Sequence, residues 1–407
     1  MTRTKMAAGG AVALLSAGLL AACGSGSAAT GASGSTVTIV SIRGTSGPTA
    51  SLGVPGNNAL QTEVNALNAK GGLLGKKIVL KFINAQGTPD QATSDARQAV
   101  LNDHAVALFG GVSSGDLAYT EQVAAKYKTI LFSYTANDAV FTRTKAFTPY
   151  FFSMVPNTLM EPMAVARLFK KKGWTRIYTI SPNYSYGHAE VQGFLSALKK
   201  LGVHYTLLGE QWPALGAPNF TSNISAILAA HPQAVFGGIY GSDLVTFTKE
   251  ALGYNLFHKT HFAAQYGAID MQTLGNSLPV GAIGFARGAW WTLNSPQIKA
   301  WAEKYHAKYG NYPSSYSMLG TIAFQAWVTG VKKAHSFSSN KLIKVLPGAT
   351  ISTLFGNVTI RACDHQAELP EYVGQLSQTN TPYPFGGYNP NYTQPASKIL
   401  PACPTGQ

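Results

Sequence analysis

The chain has 407 residues, with 31 Lys and Arg against 17 Asp and Glu and only three Cys. Its 45% hydrophobic content excludes a disordered chain, and its length calls for two or three units of ordinary size. Charged residues make up 12%, so the net charge of +14 comes from scarce acids more than from abundant bases, and three Cys exclude a disulfide-dense scaffold.

Residues 1–22 read as a secretory leader: Arg3 and Lys5, then an uncharged run from Met6 to Ala22. That run is marginal in length for a membrane span and no stop-transfer charges follow it. The stretch Leu20-Ala21-Ala22-Cys23 resembles a bacterial lipoprotein signal, which makes Cys23 the expected lipidated first residue. Residues 24–35 are Gly, Ser, Ala and Thr only, the composition of a flexible tether.

From Thr36 a short β-branched or aromatic run alternates with a longer amphipathic one. Strands are expected at 36–43, 77–84, 105–110, 129–134, 150–155, 175–181, 204–211, 234–240, 261–266 and 281–286. Helices are expected at 55–69, 89–101, 117–126, 160–172, 189–201, 221–230, 244–252, 296–309 and 314–334. Short apolar strands alternating with helices imply α/β folding, with parallel sheets covered on both faces. Ten or more strands exceed one comfortable sheet, so two α/β lobes are expected.

In open parallel sheets, ligands bind beyond the C-terminal strand ends. Those ends carry Gly111-Val112-Ser113-Ser114-Gly115, then Ser133-Tyr134-Thr135-Ala136-Asn137, then Tyr184-Ser185-Tyr186-Gly187, then Tyr240-Gly241, then Gln265-Tyr266. A Gly-rich turn at a helix start exposes N–H groups, and Tyr supplies a flat face with one hydroxyl. Ser113, Ser114, Tyr134, Thr135, Asn137, Tyr186, Tyr240, Gln265 and Tyr266 are the candidate ligand-binding residues.

These pieces, with Thr45-Ser46-Gly47-Pro48, Asn68-Ala69-Lys70-Gly71-Gly72 and Arg361-Ala362-Cys363-Asp364-His365-Gln366, resemble one family in order and spacing. It is the leucine/isoleucine/valine-binding group of ABC-transporter solute-binding proteins, and the likeness spans 36 to about 378. The resemblance implies two doubly wound lobes joined by three hinge crossings near Val155, Arg287 and Phe355, with a ligand cleft between them. Lobe 1 would hold 36–154 and 288–350, lobe 2 would hold 155–287 and 351–380, and 381–407 would be an irregular C-terminal extension. Ser114, Thr135 and Asn137 match the family's ligand-carboxylate positions, and Tyr186 and Tyr240 its second-lobe tyrosines. Where amino-acid-binding members carry a Glu for the ligand ammonium, an ungapped match places Tyr266, and Leu52 replaces an aromatic at the rim. A buried ammonium without a carboxylate is costly, so a carboxylate, amide or aromatic acid fits better than an aliphatic amino acid.

The implied protein is a monomer, extracytoplasmic and lipid-anchored, which binds a small molecule, closes over it and delivers it to an ABC permease. A ligand sensor docking on a membrane receptor is the alternative within the binding class. A different class is a secreted α/β-hydrolase, since Gly111-Val112-Ser113-Ser114-Gly115 matches G-x-S-x-G with Ser113 as nucleophile. The elbow falls early, however, and no oxyanion segment precedes it. No cofactor is called for, and no His, Cys or acid cluster has metal-ligand spacing. Dispersed bases argue against nucleic acid. His365 reads as a structural residue. Outside the cytoplasm Cys363 and Cys403 are expected to be bridged.

Overall fold

The computed structural model describes residues 35–404, apart from 86–87, 145 and 380–381. The expected leader, the lipidated Cys23 and the tether up to residue 34 lie outside the described residues.

The first lobe is built on five parallel strands in the order β2-β1-β3-β4-β5: β1 (Thr36–Arg43), β2 (Lys77–Asn84), β3 (Ala107–Gly110), β4 (Ile130–Ser133) and β5 (Phe151–Ser153). The connections carry α1 (Ala50–Ala69), α2 (Pro89–Arg97), α3 (Ser114–Lys126) and α4 (Val140–Arg143). Successive strand residues face opposite layers, as a pleat requires. Ala107, Phe109, Ile130, Phe132 and Phe152 join one apolar cluster, while Leu108, Leu131 and Phe151 join another with Ala96, Leu117 and Phe141.

The chain then enters a seven-stranded sheet ordered β14-β13-β10-β9-β8-β6-β7. Its parallel part alternates α5 (Met160–Lys172), β6 (Arg176–Ile180), α6 (Ser185–Lys200), β7 (Thr206–Gln211), α7 (Thr221–Ala230), β8 (Ala234–Gly237), α8 (Gly241–Gly253), α9 (Leu256–Lys259), β9 (His261–Ala264), α10 (Ala268–Leu274) and β10 (Ile283–Ala286). After β10 the chain returns to the first lobe. There α11 (Pro296–Tyr309) and α12 (Ser315–Ala334) follow, and α12 packs along α1. Trp327 of α12 meets Phe109 of β3 edge-on at 6.4 Å. The short α13 (Ser339–Leu342) follows, and its Ser339 Oγ accepts from Ile130 N at 3.0 Å.

Three features differ from the expectation. First, α1 begins five residues earlier and contains Pro55. The carbonyl of Pro55 is taken by Ser317 Oγ at 3.1 Å and Tyr305 OH at 3.2 Å, so tertiary partners hold a turn that the proline signal alone would have placed outside the helix. Second, the third crossing is not near Phe355. Leu354 and Phe355 form the turn of a hairpin, β11 (Thr350–Thr353) and β12 (Gly356–Thr359), and β11 packs on α12. Phe355 lies 5.0 Å from Trp301 of α11, inside the first lobe. The crossing is 360–370 instead. It is stitched to the first crossing by Gln366 Nε2 on the Val155 carbonyl at 2.7 Å and Asn157 Nδ2 on Gln366 Oε1 at 3.0 Å. His365 is structural there: Nδ1 meets the Phe151 carbonyl at 3.0 Å and the ring stacks on Phe152 at 4.4 Å.

Third, the C-terminal segment is not an irregular appendage. β13 (Tyr372–Ser377) and β14 (Gly387–Asn391) extend the second sheet antiparallel, so that sheet is mixed, and α14 (Ala396–Ile399) packs on α5. Tyr383 and Phe385 bury against Trp290, just past the second crossing. Cys363 and Cys403 are joined by a disulfide with Cα atoms 6.0 Å apart. Arg361 Nη1 donates to the Pro401 carbonyl at 2.6 Å and Arg143 Nη1 to that of Ala402 at 2.8 Å, so two arginines hold the tail beside the bridge.

Candidate functional site between the lobes

Three site helices start earlier than the periodicity suggested: α3 at Ser114, α6 at Ser185 and α8 at Gly241. This puts Ser114 and Tyr186 in first turns, where the leading N–H groups have no intrahelical partner. Ser113 is the N-cap of α3, its Oγ accepting from Asp116 N at 3.1 Å. Gly111 before it has φ +74°, and a Cβ there would stand 2.8 Å from Leu117 Cβ. Gly187 likewise admits the Pro182 carbonyl, which would lie 1.9 Å from an added Cβ. These two glycines explain the Gly111 turn and the Tyr186-Gly187 pair in physical terms.

A narrow cavity lies between the lobes. Ser114, Thr135 and Asn137 line it from the first lobe, and Tyr184, Tyr186, Tyr240 and Gln265 from the second. Arg287, from the second crossing, Leu52 and Tyr316 complete the wall. An adjoining space shares Tyr240, Gln265, Arg287 and Tyr316 and adds Asp270. Six of the nine candidate residues therefore meet at one cavity.

The other three do not. Ser113 lines an outer cleft with Asp116 and Tyr119, which shares Tyr184 with the cavity. Tyr134 is fully buried behind the wall, its ring 4.1 Å from the Arg43 guanidinium. Tyr266 points into the second-lobe core, where its hydroxyl pairs with Thr248 Oγ1 at 2.8 Å. In extended backbone adjacent residues face opposite ways, so Thr135 rather than Tyr134, and Gln265 rather than Tyr266, faces the ligand space. The lining residue at this strand end is thus a neutral amide, Gln265.

The cavity is anchored by a buried ion pair that the sequence reading did not single out. Arg287 donates through Nε to Glu161 Oε2 at 2.6 Å and through Nη2 to Oε1 at 3.1 Å. Its Nη1 reaches across to the Thr135 carbonyl of the first lobe at 2.9 Å. Glu161 Oε1 also accepts from Gln265 Nε2 at 2.6 Å, and that same nitrogen lies 2.6 Å from Tyr186 OH. Burial alone would lower the Arg287 guanidinium, but Glu161, Tyr186 and Tyr316 carry it well above its ordinary value. Glu190 and Glu371 are fully buried nearby; burial, then repulsion from Glu161, raises both carboxyls far above the usual range. Burial also raises Tyr184, Tyr186 and Tyr240, and pushes Tyr316 up to about 12, so the cavity tyrosines are neutral hydroxyls at physiological pH. The strand-end rule that found Tyr240 applies equally to Arg287 at the end of β10. Glu161 and Tyr316 sit on helices and carry no such local signal.

The sequence pattern described as periplasmic binding protein matches residues 36–381. Leu/Ile/Val-binding protein homolog 4 of Brucella abortus (strain 2308) is 27% identical over 383 residues, covering 89% of each chain. A Brucella ovis leucine-, isoleucine-, valine-, threonine- and alanine-binding protein, solved in a closed conformation, is similar in structure. Its TM-score is 0.79 at 23% identity, covering 91% of this chain and 98% of that one. An ABC-transporter solute-binding protein of R. palustris, solved with benzoate, also has a TM-score of 0.79, at 18% identity, covering 91% and 99%. These relatives are solute-binding proteins and not enzymes, so the hydrolase alternative falls, and Ser113 caps a helix. With two α/β lobes enclosing a cavity and the family pattern spanning both, the chain belongs to the periplasmic binding protein family, an extracytoplasmic group.

Proposed function

We propose that this protein captures a small polar organic ligand, amino-acid-like, amide or carboxylate, by closing its lobes, and delivers it to an ABC permease. The observation that carries this reading is a cavity walled from both lobes, with Ser114, Thr135 and Asn137 on one wall and Tyr186, Tyr240 and Gln265 on the other. Both walls come from one chain, so a monomer suffices. Opening would separate the walls and part Arg287 from the Thr135 carbonyl, which makes closure and ligand contact one event. Neighbours that bind amino acids or benzoate support a small organic solute. Titration calorimetry against amino acids, amides, urea-like compounds and aromatic acids tests the reading. Ser114→Ala and Tyr186→Phe should each weaken the best ligand by roughly three- to tenfold, the value of one neutral hydrogen bond. Unchanged affinity in both would place the ligand elsewhere.

The reading includes a membrane tether. Cleavage after Ala22 would leave Cys23 lipidated, with residues 24–35 as the leash. Cys23→Ser is then expected to move the protein from the membrane fraction of its native host to the soluble fraction. A variant still retained on the membrane would refute the anchor.

A further inference from the structure

We infer that the ligand presents neutral N–H donors, as a primary carboxamide or urea does, to two acceptor oxygens held on opposite walls of the cavity. This rests on the solute-binding reading above and narrows its ligand class.

The first oxygen belongs to Asn137, which is 2% exposed. Its Nδ2 donates to the Pro156 carbonyl at 2.9 Å, and reversing the amide would set oxygen against oxygen. Oδ1 of this lining residue is thereby left buried and without a hydrogen-bond partner. The second belongs to Gln265, 5% exposed. Both N–H bonds of its Nε2 are committed, to Glu161 Oε1 and to Tyr186 OH, each at 2.6 Å. Glu161 receives both donors of the Arg287 fork, so its oxygens are the acceptors of this network. The Gln265 amide cannot reverse against it, and its oxygen is the end left for a ligand. Glu161 is thus a positioning residue that acts through Gln265.

Charge then decides which N–H group fits. Arg287 lines the cavity, and Arg43, fully buried, donates to the carbonyl of the lining residue Leu52 at 3.0 Å. The Arg287 charge is balanced by Glu161, but no ion pair of Arg43 is present among the described residues, so its guanidinium disfavours a ligand ammonium. The nearest lining carboxyl, Asp270, lies in the adjoining space and is engaged by Gly267 N at 2.9 Å as the cap of its own helix. A carboxylate facing Asn137 and Gln265 would oppose two fixed acceptors. A carboxamide or urea satisfies both with N–H groups and leaves its carbonyl for hydroxyl donors. Thr135 Oγ1 is one, buried and without a partner.

The test is calorimetry of the purified protein with the matched pairs propanamide and propanoate, and benzamide and benzoate, together with urea, L-alanine and L-leucine. At least one amide or urea should bind ten or more times tighter than its matched carboxylate and than either amino acid. Asn137→Ala should lower the amide-to-carboxylate affinity ratio about tenfold, whereas a purely structural role would weaken both ligands alike. Glu161→Gln should bring the ratio towards one by freeing the Gln265 amide; should that variant fail to fold, the Asn137 ratio still decides. Tighter binding of a carboxylate or amino acid overturns the inference and leaves the solute-binding reading standing. Absence of saturable binding to any small solute overturns both.

Discussion

Arg287→Ala is expected to lower the unfolding free energy by about 3–5 kcal/mol, the usual cost of removing one partner from a buried ion pair. The variant leaves Glu161, which is 0% exposed, without its counter-charge, beside the equally buried Glu190 and Glu371. It also removes the Arg287 Nη1 donor from the Thr135 carbonyl, and with it a link between the lobes. Arg287→Lys should recover little, because a single ammonium cannot reproduce the fork on Glu161 together with the reach to Thr135. The double replacement Glu161→Met and Arg287→Met should cost less than Arg287→Ala alone, since no charge is left stranded. Urea unfolding followed by circular dichroism measures all three. A loss under about 1 kcal/mol for Arg287→Ala would mean that the pair is solvated and does not hold the hinge.

The layout of the fold was legible because each strand is short, apolar and followed by a helix of fitting length. β3, β4, β6 and β8 all fall within their expected spans. What escaped was non-local. α1 takes Pro55 inside, and Ser317 and Tyr305 hold its carbonyl from more than 200 positions away, contacts that no window of sequence reveals. The tail looked irregular because its aromatic residues have no period. Their order comes from packing on Trp290 and Trp291 and from the Tyr388 hydroxyl on the Tyr266 carbonyl at 2.7 Å.

At the site, the strand-end rule located the cavity but not the facing residue. Tyr134 and Thr135, and Gln265 and Tyr266, are neighbours whose side chains part to opposite sides, so a shift of one position exchanges a core tyrosine for a ligand-facing amide. That shift alters the chemistry of the wall: the lining residue is Gln265 and not the expected Tyr266, and its amide nitrogen donates to Glu161. Glu161 itself was invisible to the rule, because it stands in the first turn of α5 and reaches the cavity only through Gln265 and Arg287.

The same buried acids predict an unusual pH response: stability should fall as pH rises from 6.5 to 8. Burial raises Glu121 to about 8 and Asp270 to about 7, while burial and then Glu161 hold Glu190 and Glu371 well above 4.5. Ordinary Glu and Asp in the unfolded chain titrate near ~4.3 and ~3.9. Between those values and the folded ones, the native state keeps protons that the unfolded state has released. Protonation therefore stabilises the fold fully below about pH 4, and that stability is lost as pH climbs through each folded value. Each such group contributes about 1.4 kcal/mol per pH unit within its window, so between pH 6.5 and 8 Glu121 and, up to about pH 7, Asp270 together amount to on the order of 2–3 kcal/mol. His261 and His365, lowered by burial, work in the opposite sense, but only at acid pH where the unfolded His gains its proton. Glu121→Gln isolates one term: it lies on α3, away from the cavity lining, so it should flatten the slope by one proton's worth without altering ligand affinity. Urea unfolding at pH 6.5, 7.2 and 8 reads the slope directly. Stability that rises over this interval would show that these carboxyls are ionised in the folded protein, and that Arg287 is balanced by more than Glu161.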